Sequence, residues 1–204
     1  MNPIDRLTNL FERFPGIGPR QARRFVQYLL ATQSGNRLEL ADLIKKLGSE
    51  TAQCKKCFRW FSQGSTVKSP GVKVEPLCPI CSDMTRETGL LFVVEKDVDI
   101  ENVERSGFKG LYFVLGGTIP LASEEPEKHI RLKELFKRVA ENNLQEIILG
   151  LSATTEGDHT RLLLQEKLAV RDIKISSLGR GLSTGSELEY ADPETISNAL
   201  SSRH

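Results

Sequence analysis

No apolar run in the 204 residues approaches the ~20 needed for a membrane-spanning helix. The first ten residues carry Asp5 and lack the apolar core of a signal peptide, so the expectation is a cytoplasmic chain with no membrane attachment. Histidine is scarce: three occur, none placed to form a nucleophilic triad with a serine or cysteine and a carboxylate, and the P-loop pattern is missing. Net charge is also small, at +1, so affinity for a polyanion must come from a local patch rather than from bulk charge. Cysteine is limited to four residues, all between Cys54 and Cys81. A secreted disulfide scaffold would be shorter and would spread them along the chain. Two tight pairs point instead to a metal in a reducing compartment.

What is present is the composition of a folded α/β protein, 39% hydrophobic and 27% charged, with material for one or two domains. Residues 1–50 read as helical and 51–88 as a polar segment organised around the cysteines. Residues 89–178 alternate strand and helix, and 179–204 form a tail. Ile4, Leu7, Leu10, Phe11 and Phe14 recur at helical spacing, Pro19 opens a second helix, and Leu38 to Leu47 reads as a short helix stopped by Gly48. Strands are expected at Gly89–Val94, Leu111–Leu115, Glu146–Leu151 and Ile173–Leu178. Helices are expected at Asp97–Ser106, around Leu132–Val139, at Thr160–Leu168 and from Pro193. Strand–helix alternation with continuously apolar strands implies a parallel sheet covered on both faces.

The segment Phe14-Pro15-Gly16-Ile17-Gly18-Pro19 breaks the first helix and starts the second. Two helices joined by Gly-x-Gly make a helix-hairpin-helix. The glycines permit positive φ and close approach of a phosphate, and the following helix points free N–H groups and its positive end at it. Arg20, Arg23 and Arg24 form a basic stripe beside the apolar Ala22, Phe25, Val26 and Leu29. Contacts of this kind engage the sugar-phosphate backbone, so binding to DNA would be sequence-independent. The competing reading is a plain helical hairpin with a solvated basic face.

Cys54-x-x-Cys57 and Cys78-x-x-Cys81 can form two knuckles that complete a tetrahedral four-sulfur site. Such a site has no open position, so Zn²⁺ there would be structural. Phe58, Trp60 and Phe61 lie beside the first knuckle and read as a small core rather than a base-stacking platform. A third constellation is acidic. Glu95 ends the first α/β strand, and Glu156 and Asp158 follow the third, at the ends where open parallel sheets gather functional groups. They could hold Mg²⁺ through oxygen ligands or simply favour the start of the next helix.

The order of these parts resembles that of the bacterial RecR recombination mediators. Phe14 to Pro19 resembles the family's hairpin, and Cys78-Pro-Ile-Cys81-Ser-Asp-x-x-Arg86 its second knuckle. Val93-Val94-Glu95, Val114-Leu-Gly-Gly117 and Thr155-Glu-Gly157 resemble its Toprim motifs. Gly179-Arg-Gly-Leu182 and Leu188-Glu-Tyr-Ala-Asp192 resemble the tail. The loop between knuckles is longer than usual through Gly64 to Pro76, the loop after Gly117 looks shortened, and Ser183, Thr184 and Ser186 depart from the usual tail. The resemblance implies an α/β Toprim-like domain between a helix-hairpin-helix with a four-Cys zinc finger and a C-terminal tail. It implies a homo-oligomer, dimer or ring tetramer, with subunit contacts through hairpin and tail. It also implies RecO-like and RecF-like partners and help in loading RecA recombinase at single-stranded gaps. The DNA contacts would fall on Gly16, Gly18, Arg20, Arg23 and Arg24, and the zinc ligands on Cys54, Cys57, Cys78 and Cys81. Partner or Mg²⁺ contact would fall on Glu95, Glu156 and Asp158. Two alternatives stand beside this non-enzymatic reading: a Mg²⁺-dependent Toprim nuclease or primase-like enzyme, and a zinc module that binds only protein.

Overall fold

The computed structural model describes residues 2–63, 75–169, 173–179, 181, 182, 185 and 187–201. All of the long inter-knuckle loop but Glu75 and Pro76, and Arg180, Ser183, Thr184 and Ser186 of the tail, lie outside them. The described residues form two compact units. One holds residues 2–52 with 62 and 63; the other holds 53–61 and everything from 75 onward.

The first unit begins with α1 (Pro3–Phe11), started by Pro3 and by Asn2, whose side chain accepts the Asp5 amide at 2.9 Å. It packs on α2 (Pro19–Ala31) through buried Thr8, Ala22 and Val26, with Phe11 edge-on to both Phe14 and Phe25. Phe14, expected as the last apolar position of the first helix, lies beyond its end in the turn. The next helix, α3 (Ser34–Glu50), runs through Gly48 instead of stopping there. One internal glycine costs a helix only about 1 kcal/mol. The Ser49 and Thr51 hydroxyls donate to the Lys46 and Leu47 carbonyls, satisfying the last turn. No side chain of α3 is buried; Leu38, Leu43, Ile44 and Leu47 are all more than half exposed.

The second unit is built on a four-stranded parallel sheet. Its strands are β3 (Glu87–Val94), β4 (Gly110–Val114), β5 (Glu146–Gly150) and β6 (Lys174–Ser177), in the order β4-β3-β5-β6. Because β4 lies on one side of β3 and β5 on the other, the winding direction reverses at β3, and a crevice opens between the carboxyl ends of β3 and β5. One face carries Leu91, Val93, Phe113, Ile147 and Leu149, covered by α6 (Leu132–Ala140) and α7 (Thr155–Leu168) through Leu135, Val139, Leu164 and Leu168. The opposite face carries Phe92, Val94, Tyr112 and Val114. It is covered by α5 (Asp99–Arg105) through Ile100 and by Cys54, Cys57, Cys78 and Ile80. The chain closes with α8 (Pro193–Ser201), started by Asp192, which accepts the Thr195 amide and hydroxyl.

Helix α7 starts five residues before the expected Thr160. The Thr154 hydroxyl accepts the Gly157 amide at 3.1 Å, an N-cap that brings Thr155-Glu156-Gly157-Asp158 into the first turn. Gly157 must be small there, because a Cβ would run into the Ser152 carbonyl.

Candidate functional site

Residues 12–18 connect α1 to α2 through three turn hydrogen bonds: Arg13 to Leu10, Phe14 to Phe11 and Ile17 to Phe14. Gly16 takes φ +74°, the left-handed conformation that glycine adopts without strain. Gly18 does not; it caps α2 in an extended conformation at φ −87°. Among the described residues, a Cβ on either glycine would meet nothing within 4 Å, so none of them requires Gly18 to be small. Helix α2 opens without a side-chain cap and without an acid in its first turn. Its positive end is left to solvent, with Arg20, Arg23 and Arg24 exposed beside it. Among the described residues, none of these three arginines has an ion-pair partner.

The four cysteines converge, with all sulfurs within 4.8 Å of one another and Cys57 Sγ 3.5 Å from Cys78 Sγ. A tetrahedral ZnS₄ centre with Zn–S bonds of ~2.3 Å separates its sulfurs by ~3.8 Å, so the donor set fits a closed thiolate site. Among the described residues no other group of three or more His, Cys, Asp or Glu side chains lies close enough to share an ion. A short ribbon, β1 (Thr51–Gln53) with β2 (Trp60–Ser62), frames the first knuckle. The Cys54 amide donates to the Arg59 carbonyl and Phe58 to Cys54, and Phe58 takes φ +64° to close the bend. The second knuckle starts a single turn, α4 (Pro79–Ser82), with the Cys81 amide donating to Cys78 Sγ at 3.5 Å. Hydrogen bonding between sulfurs pulls the Cys54 thiol below its ordinary range and pushes Cys57 above it. Three of the four cysteines are buried and Cys81 is partly exposed.

The knuckles are built into the α/β unit. Strand β4 is a sheet edge, and the Val114 amide on that edge donates to the Cys57 carbonyl at 2.9 Å. Phe58 stacks edge-on to Phe113, and the Arg131 guanidinium lies 5.3 Å above the Phe58 ring while donating to the Val114 carbonyl. Gly116, at φ +94°, leaves room for Arg131; a Cβ there would lie 2.5 Å from its Nη1. Arg86, just after the second knuckle, makes a bidentate pair with Glu104 of α5, and the Tyr112 hydroxyl donates to the same carboxylate at 2.7 Å. Phe58 and Phe61 join the packed cluster, as expected of a small core. Trp60 does not: it is 58% exposed. Alternation along β2 turns Phe61 inward and its neighbour out.

The acidic residues sit at the carboxyl ends of β3 and β5, each with its own partner. Glu95 is buried and accepts the Ser152 hydroxyl at 2.5 Å, with Lys96 Nζ 2.9 Å away. Burial opposes its charge, but Ser152 and Lys96 outweigh it and hold the carboxyl below the ordinary range. Glu156 is exposed and accepts from Thr118, and Asp158 is paired with Arg161 at 3.2 Å.

Models of known families match three of these parts, in order. The RecR helix-hairpin-helix matches residues 4–47, the Toprim domain 89–179 and the RecR C-terminal region 181–204. Relatives named recombination protein RecR match nearly the full chain. The one from Chloroflexus aggregans is 36% identical over 202 residues, covering 98% of this chain and 93% of its own length. That from Dehalococcoides mccartyi is 35% identical over 201 residues, with the same coverage. That from Paracoccus denitrificans is 36% identical over 201 residues, 98% of this chain and 95% of its own. This chain belongs to the RecR family. In this RecR chain the Toprim fold and the four-cysteine cluster form one compact unit, and the helix-hairpin-helix belongs to the other. The partners of the acidic residues were not legible by spacing. Ser152 sits beside the switch of strand order, opposite Glu95, and its place one residue past the β5 apolar run was the only signal available.

Proposed function

We propose that this chain is a non-enzymatic recombination mediator that grips DNA through its glycine turn and neighbouring arginines. The observation that carries the reading is the open, acid-free start of α2 beside Arg20, Arg23 and Arg24, none of them paired among the described residues. A helix end and unpaired cations form a site for phosphate, and Gly16 and Gly18 leave the approach clear. Nothing in that arrangement reads base edges, so binding is sequence-independent. Structural Zn²⁺ on Cys54, Cys57, Cys78 and Cys81 braces the second unit; the sulfur spacing supports it. The family's role extends the reading to loading RecA at single-stranded gaps with RecO-like and RecF-like partners in the cytoplasm. The face carrying Glu95, Glu156 and Asp158 is the proposed partner-contact or weak Mg²⁺ site. No described helix is long and apolar enough to cross a membrane. The exposed Leu38, Leu43, Ile44 and Leu47 of α3 support a homo-oligomer, dimer or ring tetramer.

Fluorescence anisotropy against salt tests the DNA contact. Affinity should fall steeply with ionic strength, and Arg23→Ala with Arg24→Ala should weaken it and lower the log–log salt slope by about 1–2. A wild-type protein that ignores DNA at low salt would sink the proposal. The enzymatic alternative has its own assay. Mg²⁺-dependent nicking by purified protein that Glu95→Gln abolishes would overturn the non-enzymatic reading, and no such activity is expected.

A further inference from the structure

Trp60 is the one large aromatic of the first knuckle that the fold leaves outside. Phe58 and Phe61, on either side of it, are packed inward, while Trp60 is 58% exposed on β2. Its backbone is fixed from both directions. The Trp60 amide donates to Asp97 Oδ2 at 2.6 Å, and the preceding Arg59 carbonyl accepts the Cys54 amide at 2.8 Å. The backbone that carries the ring is therefore already ordered before binding. Lys55 and Lys56, on the same knuckle, are exposed, and among the described residues neither has a carboxylate partner. The nearby negative charge, Asp97, is taken up by Arg59 at 3.5 Å and by the Trp60 amide.

We propose that Trp60 is a stacking platform for an unpaired base of single-stranded DNA, with Lys55 and Lys56 meeting the adjoining phosphates. A flat aromatic beside free cations is the combination that holds single strands without reading their sequence. A duplex stacks its bases on one another and offers no free π-face along its length, so the contact selects single-stranded over double-stranded DNA. Lysine is depleted from protein–protein interfaces, whereas Lys55 and Lys56 lie exposed on the knuckle that leads into the Trp60 strand. This contact is separate from the glycine turn, though it rests on the reading of the chain as a DNA-binding protein.

Trp60 is the sole tryptophan, so the emission of the unmodified full-length protein reports on this site alone. Oligothymidylate should quench that emission with the same midpoint as the anisotropy of a labelled strand, and duplex should bind without quenching it. Trp60→Ala should weaken single-strand binding at least about fivefold and leave duplex binding unchanged, and Trp60→Phe should recover part of the loss. Zinc content and circular dichroism check that each variant is folded; the quenching measurement needs no variant. Single-strand binding with silent Trp60 emission would overturn the stacking contact and leave the glycine turn standing. Emission that ignores DNA but shifts on adding a protein partner would overturn it in favour of a protein contact. Failure to bind either form of DNA by anisotropy would end both readings.

Discussion

Cys57→Ser is expected to yield protein without stoichiometric zinc, most of it insoluble, and the soluble remainder should lose its cooperative melt. The size of the effect follows from two magnitudes. Structural zinc sites contribute ~10–16 kcal/mol of binding free energy, whereas a whole domain is stable by only ~5–15 kcal/mol. The knuckles also share a buried cluster with Phe92, Val94, Ile100, Tyr112 and Val114, so their collapse uncovers one face of the sheet. It also frees the Val114 amide at the end of the β4 edge, which now donates to the Cys57 carbonyl. A bare, apolar edge strand is a template for pairing with other chains, and aggregation is the expected fate. Cys81→Ser should be milder, because Cys81 is the partly exposed member of the set. Elemental analysis, thermal melts and light scattering on the two variants decide it. Soluble Cys57→Ser protein with a native melting temperature and no zinc would show that the metal has no structural role.

The second large effect should come from Arg86→Met. The Arg86 side chain is only 11% exposed, and its guanidinium serves Glu104, the Phe108 carbonyl and the Gly110 carbonyl. Removing it leaves the half-buried Glu104 carboxylate with Tyr112 alone and the Phe108 and Gly110 carbonyls without this donor, at a cost of about 3 kcal/mol. That corresponds to roughly 6–12 °C in melting temperature for a protein of this size. Arg86→Met with Glu104→Leu should recover most of the loss, because an ion pair replaced as a whole strands no charge. Acid should act on the same pair. Arg86 chiefly, helped by Tyr112 and opposed by burial, holds the Glu104 carboxyl below its ordinary value of 4.5. A carboxyl lowered in the folded state adds stability above its unfolded pKa and loses it as pH falls through the folded one. Wild-type stability should therefore decline below about pH 4.5, and Glu104→Gln should flatten that decline. Urea melts from pH 7 to pH 3 test the sign; parallel curves for the two proteins would refute it.

The cysteine pairs were legible because a metal site is written in short spacings, and the structure brings all four sulfurs together. The glycine turn was legible for a similar reason, although only Gly16 needs positive φ. Long-range packing left no local trace. Neither the docking of Cys57 on Val114 nor the seat of Arg131 on Phe58 follows from periodicity, since each joins residues more than fifty positions apart. The start of α7 was misplaced because Thr160 opens the apolar pattern while the cap, Thr154, lies in a stretch without apolar residues. Trp60 was read with its two phenylalanine neighbours, yet the two-residue alternation of β2 separates it from Phe61.

The clasp that closes the β4 edge lies upstream of that strand in the chain. During synthesis Cys54 and Cys57 leave the ribosome first, Cys78 and Cys81 next, and Gly110–Val114 only afterwards. If these cysteines take up the proposed ion as they emerge, a finished surface waits when the strand appears. In metal-starved cells the losses should fall on newly made polypeptide, while molecules completed earlier persist.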